Sequence, residues 1–136
     1  MRTTLIFLDE VSESKKGFLR GLVSIIILIL MDLCWFQIMD YDSIISRKKI
    51  NLLAAFVAYL LMCSGLSVQL PNSLKEAAVY GMMFGLVVYG VYNGTNYATK
   101  SEWTMKLAIL DTLWGMTLCS TVCIILYFIF HKGNTY

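Results

Sequence analysis

The chain has 136 residues, 58% of them hydrophobic, and a net charge of only +2. Its mean hydropathy is +0.69. Soluble domains run about 45–50% apolar, so a chain this small cannot hide its apolar surface from water, and its slight charge offers little to nucleic acid. The remaining solvent is lipid, where a helix needs about 20 apolar residues to cross a hydrocarbon core of roughly 30 Å.

Residues 1–17 read as a polar head with one apolar patch, Leu5-Ile6-Phe7-Leu8, followed by Asp9, Glu10, Glu13, Lys15 and Lys16. The patch can lie among lipid headgroups, dock on a partner or be loose. Residues 18–39 are predicted as the first membrane helix. This stretch is too long for a signal-peptide core of about 7–15 residues and lacks a small-residue cleavage pattern, so it reads as retained. A polar connection carries Arg47-Lys48-Lys49. The second helix is predicted over residues 50–70 and is stopped by Pro71, which has no backbone donor. Ser73, three residues before Glu76, forms a capping-box pattern for the third helix, over residues 77–98. A short connection leads to the fourth helix, over residues 107–130, and residues 132–136 form a tail.

These elements make one membrane domain, residues 18–131. Short loops place sequential helices side by side and antiparallel, so the predicted fold class is an all-α, four-transmembrane-helix bundle running up-down-up-down. Both termini then share a face. That face carries Arg2, Lys15, Lys16, Arg20, Lys75 and Lys132, against Arg47, Lys48, Lys49, Lys100 and Lys106 opposite. Positive-inside counting places the termini in the cytoplasm by one charge.

The third helix spaces Ala77, Gly81 and Gly85 four residues apart, with Gly90 and Gly94 beyond. Small residues let helix backbones approach closely in lipid. Packing within the chain is the favoured use of this stripe, ahead of dimerisation.

Polar residues recur at one depth. Asp32 lies seven residues before Met39, roughly 10 Å inside the far boundary at 1.5 Å per residue. Asn93, Thr95 and Asn96 end the third helix on that side. Asp111 comes four residues into the fourth helix, roughly 6 Å deep. Asp32-Leu-Cys-Trp35 and Asp111-Thr-Leu-Trp114 repeat one spacing, which sets each Trp on the face of its own Asp. There the ring can shield that carboxylate and its N–H can bond to it. The two helices run oppositely, so the two pairs would face one another upside down. The structural reading is a polar clasp, with both acids accepting hydrogen bonds from Asn93, Thr95, Asn96 and tyrosine hydroxyls. The functional reading is a proton or cation site, because acids at membrane depth mark ion paths. No proline breaks a helix and four helices enclose little volume, which favours the clasp.

Other chemistry finds no foothold. Cys34, Cys63, Cys119 and Cys123 fall in apolar stretches without metal-type spacing and read as small packing residues. His131 is the one histidine, so no Ser-His-Asp set can form. No phosphate loop is present. No cofactor and no metal site are expected, and the chain is not expected to be an enzyme. The Asn93-Gly94-Thr95 sequon lies at a helix end, a poor place for glycosylation.

The motifs, taken together, resemble a family. Met31-Asp32-Leu33-Cys34-Trp35, then Phe84-Gly85-Leu86-Val87-Val88-Tyr89 with Tyr92-Asn93-Gly94-Thr95-Asn96-Tyr97-Ala98-Thr99, then Trp103 and Asp111-Thr112-Leu113-Trp114-Gly115 occur in order. The chain is similar over residues 18–130 to the uncharacterised four-helix membrane proteins classed as domain of unknown function 2177. That family is common in bacteria and has relatives in large eukaryotic DNA viruses. Its bacterial members usually carry Asp where this chain has Asn93, which weakens a charge-moving role. The head of residues 1–17 is an addition to the family pattern. The resemblance and the residues lead to one expectation: a non-enzymatic structural membrane protein, which in a virus would sit in the virion's internal membrane and meet capsid proteins through residues 1–17 or the polar loops. The alternative is a small transporter or channel moving protons or cations through the Asp32/Asp111 layer.

Overall fold

The structure, a computed structural model, describes residues 2–39, 51–68 and 71–131, with side chains from residue 13 onward. Four helices fill the described residues: α1 Arg2–Met39, α2 Leu52–Ser67, α3 Leu74–Thr99 and α4 Met105–Phe130. The Arg47-Lys48-Lys49 connection, the tail of residues 132–136 and the side chains of the Leu5–Leu8 patch lie outside the described residues.

Each later helix starts on a polar cap. The side chain of Asn51 accepts from the Ala54 amide, that of Ser73 from Glu76, and that of Thr104 from Leu107. Such caps satisfy amides that a helix start leaves unpaired. Glu76 returns its carboxylate to the Asn72 amide at 2.9 Å, one residue before the partner a capping box uses. The caps also move the predicted starts. α3 begins at Leu74 and α4 at Met105, because Ser73 and Thr104 nucleate the first turn ahead of the apolar run.

Two boundaries differ more. The first helix does not begin at residue 18: it runs unbroken from Arg2, so the polar head is helical backbone continuous with the apolar stretch. Nothing in the head breaks a helix, since the chain's one proline is Pro71. Glu13 pairs with Lys16 at 2.9 Å and with Arg20 at 3.9 Å, supporting the turn where polar and apolar segments join. The second helix is shorter than predicted, with 16 residues. Its rise of roughly 24 Å falls short of a hydrocarbon core of about 30 Å. Among the described residues three helical segments are long and apolar enough to cross a membrane: Glu13–Met39, Leu74–Thr99 and Met105–Phe130.

The most extensive contact is between α3 and α4. Gly81 lies on the Cys119 carbonyl and the Ser120 Cα, and Gly85 on Gly115 and Met116, so a Cβ at either glycine would overlap the α4 backbone. Ala77 is fully buried on the same face. The Ser120 hydroxyl donates to the Ala78 carbonyl at 3.1 Å. The small-residue stripe of Ala77, Gly81 and Gly85 therefore packs within the chain. Beside this seam Leu28 of α1, Cys63 and Leu66 of α2, and Leu118, Cys119, Val122, Cys123 and Leu126 of α4 form the apolar core. All four cysteines are free. α2 packs mainly on α1 and touches α3 and α4 little.

Candidate functional site

Asp32, on α1, and Asp111, on α4, are 6% and 4% exposed, buried deeply enough that their oxygens need partners. They find them across the helix pair. The Trp114 Nε1 donates to Asp32 Oδ1 at 3.1 Å, and the Trp35 Nε1 donates to Asp111 Oδ1 at 3.0 Å. The two indoles stack between these bonds, 4.7 Å apart and within 3° of parallel. Each tryptophan thus serves the carboxylate of the other helix, not its own. The geometry follows from direction. Along α1 the order is Asp then Trp, and α4 meets it in reverse, so Asp32 faces Trp114 and Trp35 faces Asp111. The expectation that each N–H bonds the acid three residues earlier is corrected accordingly.

The second oxygens complete the cluster. Tyr59, on α2, donates its hydroxyl to Asp32 Oδ2 at 2.9 Å. The Tyr89 hydroxyl, on α3, is a further donor beside Asp32. Asn93 donates through Nδ2 to Asp111 Oδ2 at 2.9 Å, and more loosely to the Thr112 hydroxyl at 3.3 Å. Its own carbonyl oxygen accepts from Trp103 Nε1 at 3.1 Å. Asn93 is 1% exposed, and Trp103, in the α3–α4 connection, lies edge-on to Tyr92. Side chains from all four helices therefore meet at two carboxylates, and the α3–α4 connection holds one of them, Asn93, through Trp103.

Two predicted members stand outside the cluster. Thr95 is exposed, and its hydroxyl bonds back to the Val91 and Tyr92 carbonyls of its own helix. Two residues on from Asn93 is about 200° around a helix, so Asn93 and Thr95 cannot share a face. Asn96 is buried beside Tyr92, but its Nδ2 has no hydrogen-bond partner among the described residues and it does not reach either acid. The expected tyrosine hydroxyls are those of Tyr59 and Tyr89, which the sequence did not single out, and Thr112 was missed. Tyr59 was within reach of the depth argument: it lies eight residues after Asn51, roughly 12 Å along α2, level with Asp32.

Beside the cluster, a half-open cleft of about 670 Å³ lies between α2 and α3. Asp32 and Asp111 stand on its wall, with Trp35, Tyr59, Tyr89 and Tyr92. It exists because α2 leans on α1 and leaves α3 largely uncovered on this side. Among the described residues no group of three or more His, Cys, Asp or Glu side chains is placed to hold a metal. The arrangement can do two things chemically. It fixes helix rotation through directional bonds, and it presents carboxylate charge to a largely apolar cleft.

Residues 18–128 match the model of a family described as predicted membrane protein, DUF2177. The chain belongs to that family. Asp32, Trp35, Asn93, Asp111 and Trp114 all fall within the matched span, and the helical head before residue 18 falls outside it. With the family's assignment to membranes, the three long apolar helices make this a multi-pass membrane protein. Among curated proteins and solved structures, none matches the chain.

Proposed function

We propose that this chain is a four-span antiparallel bundle with both termini on one face, serving as a non-enzymatic structural protein of its membrane. The observation that carries the reading is the closure of the polar cluster. Each carboxylate oxygen of Asp32 and Asp111 accepts a bond from a side chain of another helix. Such bonds contribute about 0.6 kcal/mol each in membranes, up to about 1.7, but their direction sets the order and rotation of all four helices. α2 spans in this reading with its flanking residues at the interfaces, a short helix being met by local thinning of the bilayer.

The scaffold role rests on α1. Its backbone continues as helix for eleven residues before Glu13, roughly 16 Å beyond the apolar stretch. This gives the head a rigid arm for contact with a soluble partner. In a virion's internal membrane that partner would be a capsid protein. Positive-inside counting places the arm in the cytoplasm.

A second reading, a small transporter or channel for protons or cations, is favoured by one observation: the cleft reaches both carboxylates. Purified protein in liposomes separates the two. The structural reading expects no pH- or ion-driven flux, together with loss of thermal stability in Asp32→Asn or Asp111→Asn. Flux that those substitutions abolish would sink it. Labelling of single cysteines placed at residues 45, 72, 101 and 134 from either side of the membrane tests the four spans. Crosslinking through residues 1–17 in the native membrane tests the arm.

A further inference from the structure

The cleft between α2 and α3 has walls of unequal chemistry. Trp35, Tyr59, Phe84, Tyr89 and Tyr92 line it with aromatic surface, and Asp32 and Asp111 supply the acidic groups. Among the described residues no lysine, arginine or histidine lines it. The ion pairs Lys16–Glu13 and Arg20–Glu13 lie at least 12 residues before Asp32 on α1, roughly 18 Å away along the helix. Asp32 is held by three hydroxyl or indole donors, with no cation beside it among the described residues. Hydrogen bonds alone leave the charge of a buried carboxylate uncompensated, and such charges are normally paired.

The volume, about 670 Å³, is that of a small-molecule site, which ordinarily runs about 300–1,000 Å³ with few polar groups on apolar walls. An anion is excluded by the carboxylates. A hard metal ion asks for six or more oxygen ligands, and the wall is mostly ring faces and aliphatic carbon. Aromatic faces around a carboxylate are instead the recognition chemistry of an organic ammonium or similar soft cation.

We infer that this cleft is a binding site for a lipophilic organic cation, its charge at Asp32 and its apolar body between α2 and α3. The cation enters from the side, since the cleft lies where those helices part. Ala58, exposed on α2, stands on the cleft wall and makes no hydrogen bond to the cluster. The inference goes beyond the scaffold reading and does not depend on it, because binding requires neither flux nor a soluble partner.

The test is a titration of the full-length chain, purified in an uncharged detergent, with labelled tetraphenylphosphonium. Saturable binding is expected, displaced by dodecyltrimethylammonium and not by dodecanol. Asp32→Asn, which keeps the shape and an acceptor oxygen, should weaken it at least tenfold. Ala58→Phe fills the cleft while leaving the cluster's bonds in place, and should weaken it equally. If Asp32→Asn fails to fold, Ala58→Phe decides the matter. No saturable binding by the wild type, equal displacement by dodecanol, or wild-type binding by either folded variant would overturn the inference.

Discussion

α4 is held on two sides by opposite means. Against α3 it meets glycine: backbone lies on backbone at Gly81 and Gly85, with Ala77 and Ser120 extending the contact. Against α1 it meets Asp32 and Trp35, and the helices are joined by long side chains that cross. Lipid removes the hydrophobic drive for helix association, so both solutions draw on what remains, close packing and directional bonds. The first is intolerant of added volume. The second tolerates changes of volume and fails when a donor loses its acceptor. One helix thus carries a steric contact on one face and a chemical one on another.

The sharpest way to break the contrast is volume at the seam. Gly85→Leu should cost about 3 kcal/mol or more, and Gly85→Ala about 1–3 kcal/mol, because Gly115 and Met116 present backbone that cannot give way. Thermal unfolding in detergent would show it, and a Gly85→Leu chain as stable as the wild type would refute the close approach. Next, Asp32→Ala strands the Trp114 and Tyr59 donors and should cost about 1–3 kcal/mol. A double-mutant cycle then sharpens the crossed arrangement. Asp32→Asn with Trp114→Phe should couple by about 0.6–1.7 kcal/mol. The same cycle with Trp35→Phe should show much less coupling, since Trp35 serves Asp111. Equal coupling in the two cycles would refute the crossed arrangement, and larger coupling with Trp35→Phe would return each indole to the acid of its own helix. The smallest effect belongs to Thr95→Val, within about 0.5 kcal/mol in the same melts, because its hydroxyl bonds only to its own helix.

Much of this was legible before any coordinates. Hydropathy marks the helices, and the depth of Asp32, Asn93 and Asp111 follows from counting 1.5 Å steps. The spacing of Gly81 and Gly85 marks the seam. What escaped was angular. Thr95 has the right depth and the wrong phase, and a depth count is blind to rotation. The opposed direction of the two helices follows from the up-down-up-down reading, which sets the Asp-x-x-Trp pairs head to tail; that each indole bonds the opposite acid and not its own needed the side-chain positions. Trp103 lies outside any helical period, so its reach to Asn93 could not be read from spacing. The N-terminal end of α1 escaped for another reason: hydropathy marks where an apolar run begins, and a helix can continue into polar residues without notice.

The stacked indoles have a use as an optical gauge. The chain has three tryptophans, and two of them lie face to face at 4.7 Å with their N–H groups on carboxylates from opposite helices. At that distance an excitation passes between the rings readily, and the emission of both depends on α1 and α4 staying together. The third, Trp103, is bonded to Asn93 and reports from the α3–α4 connection. Light emitted by an unlabelled chain therefore distinguishes parting of α1 from α4 from loosening at the α3–α4 end.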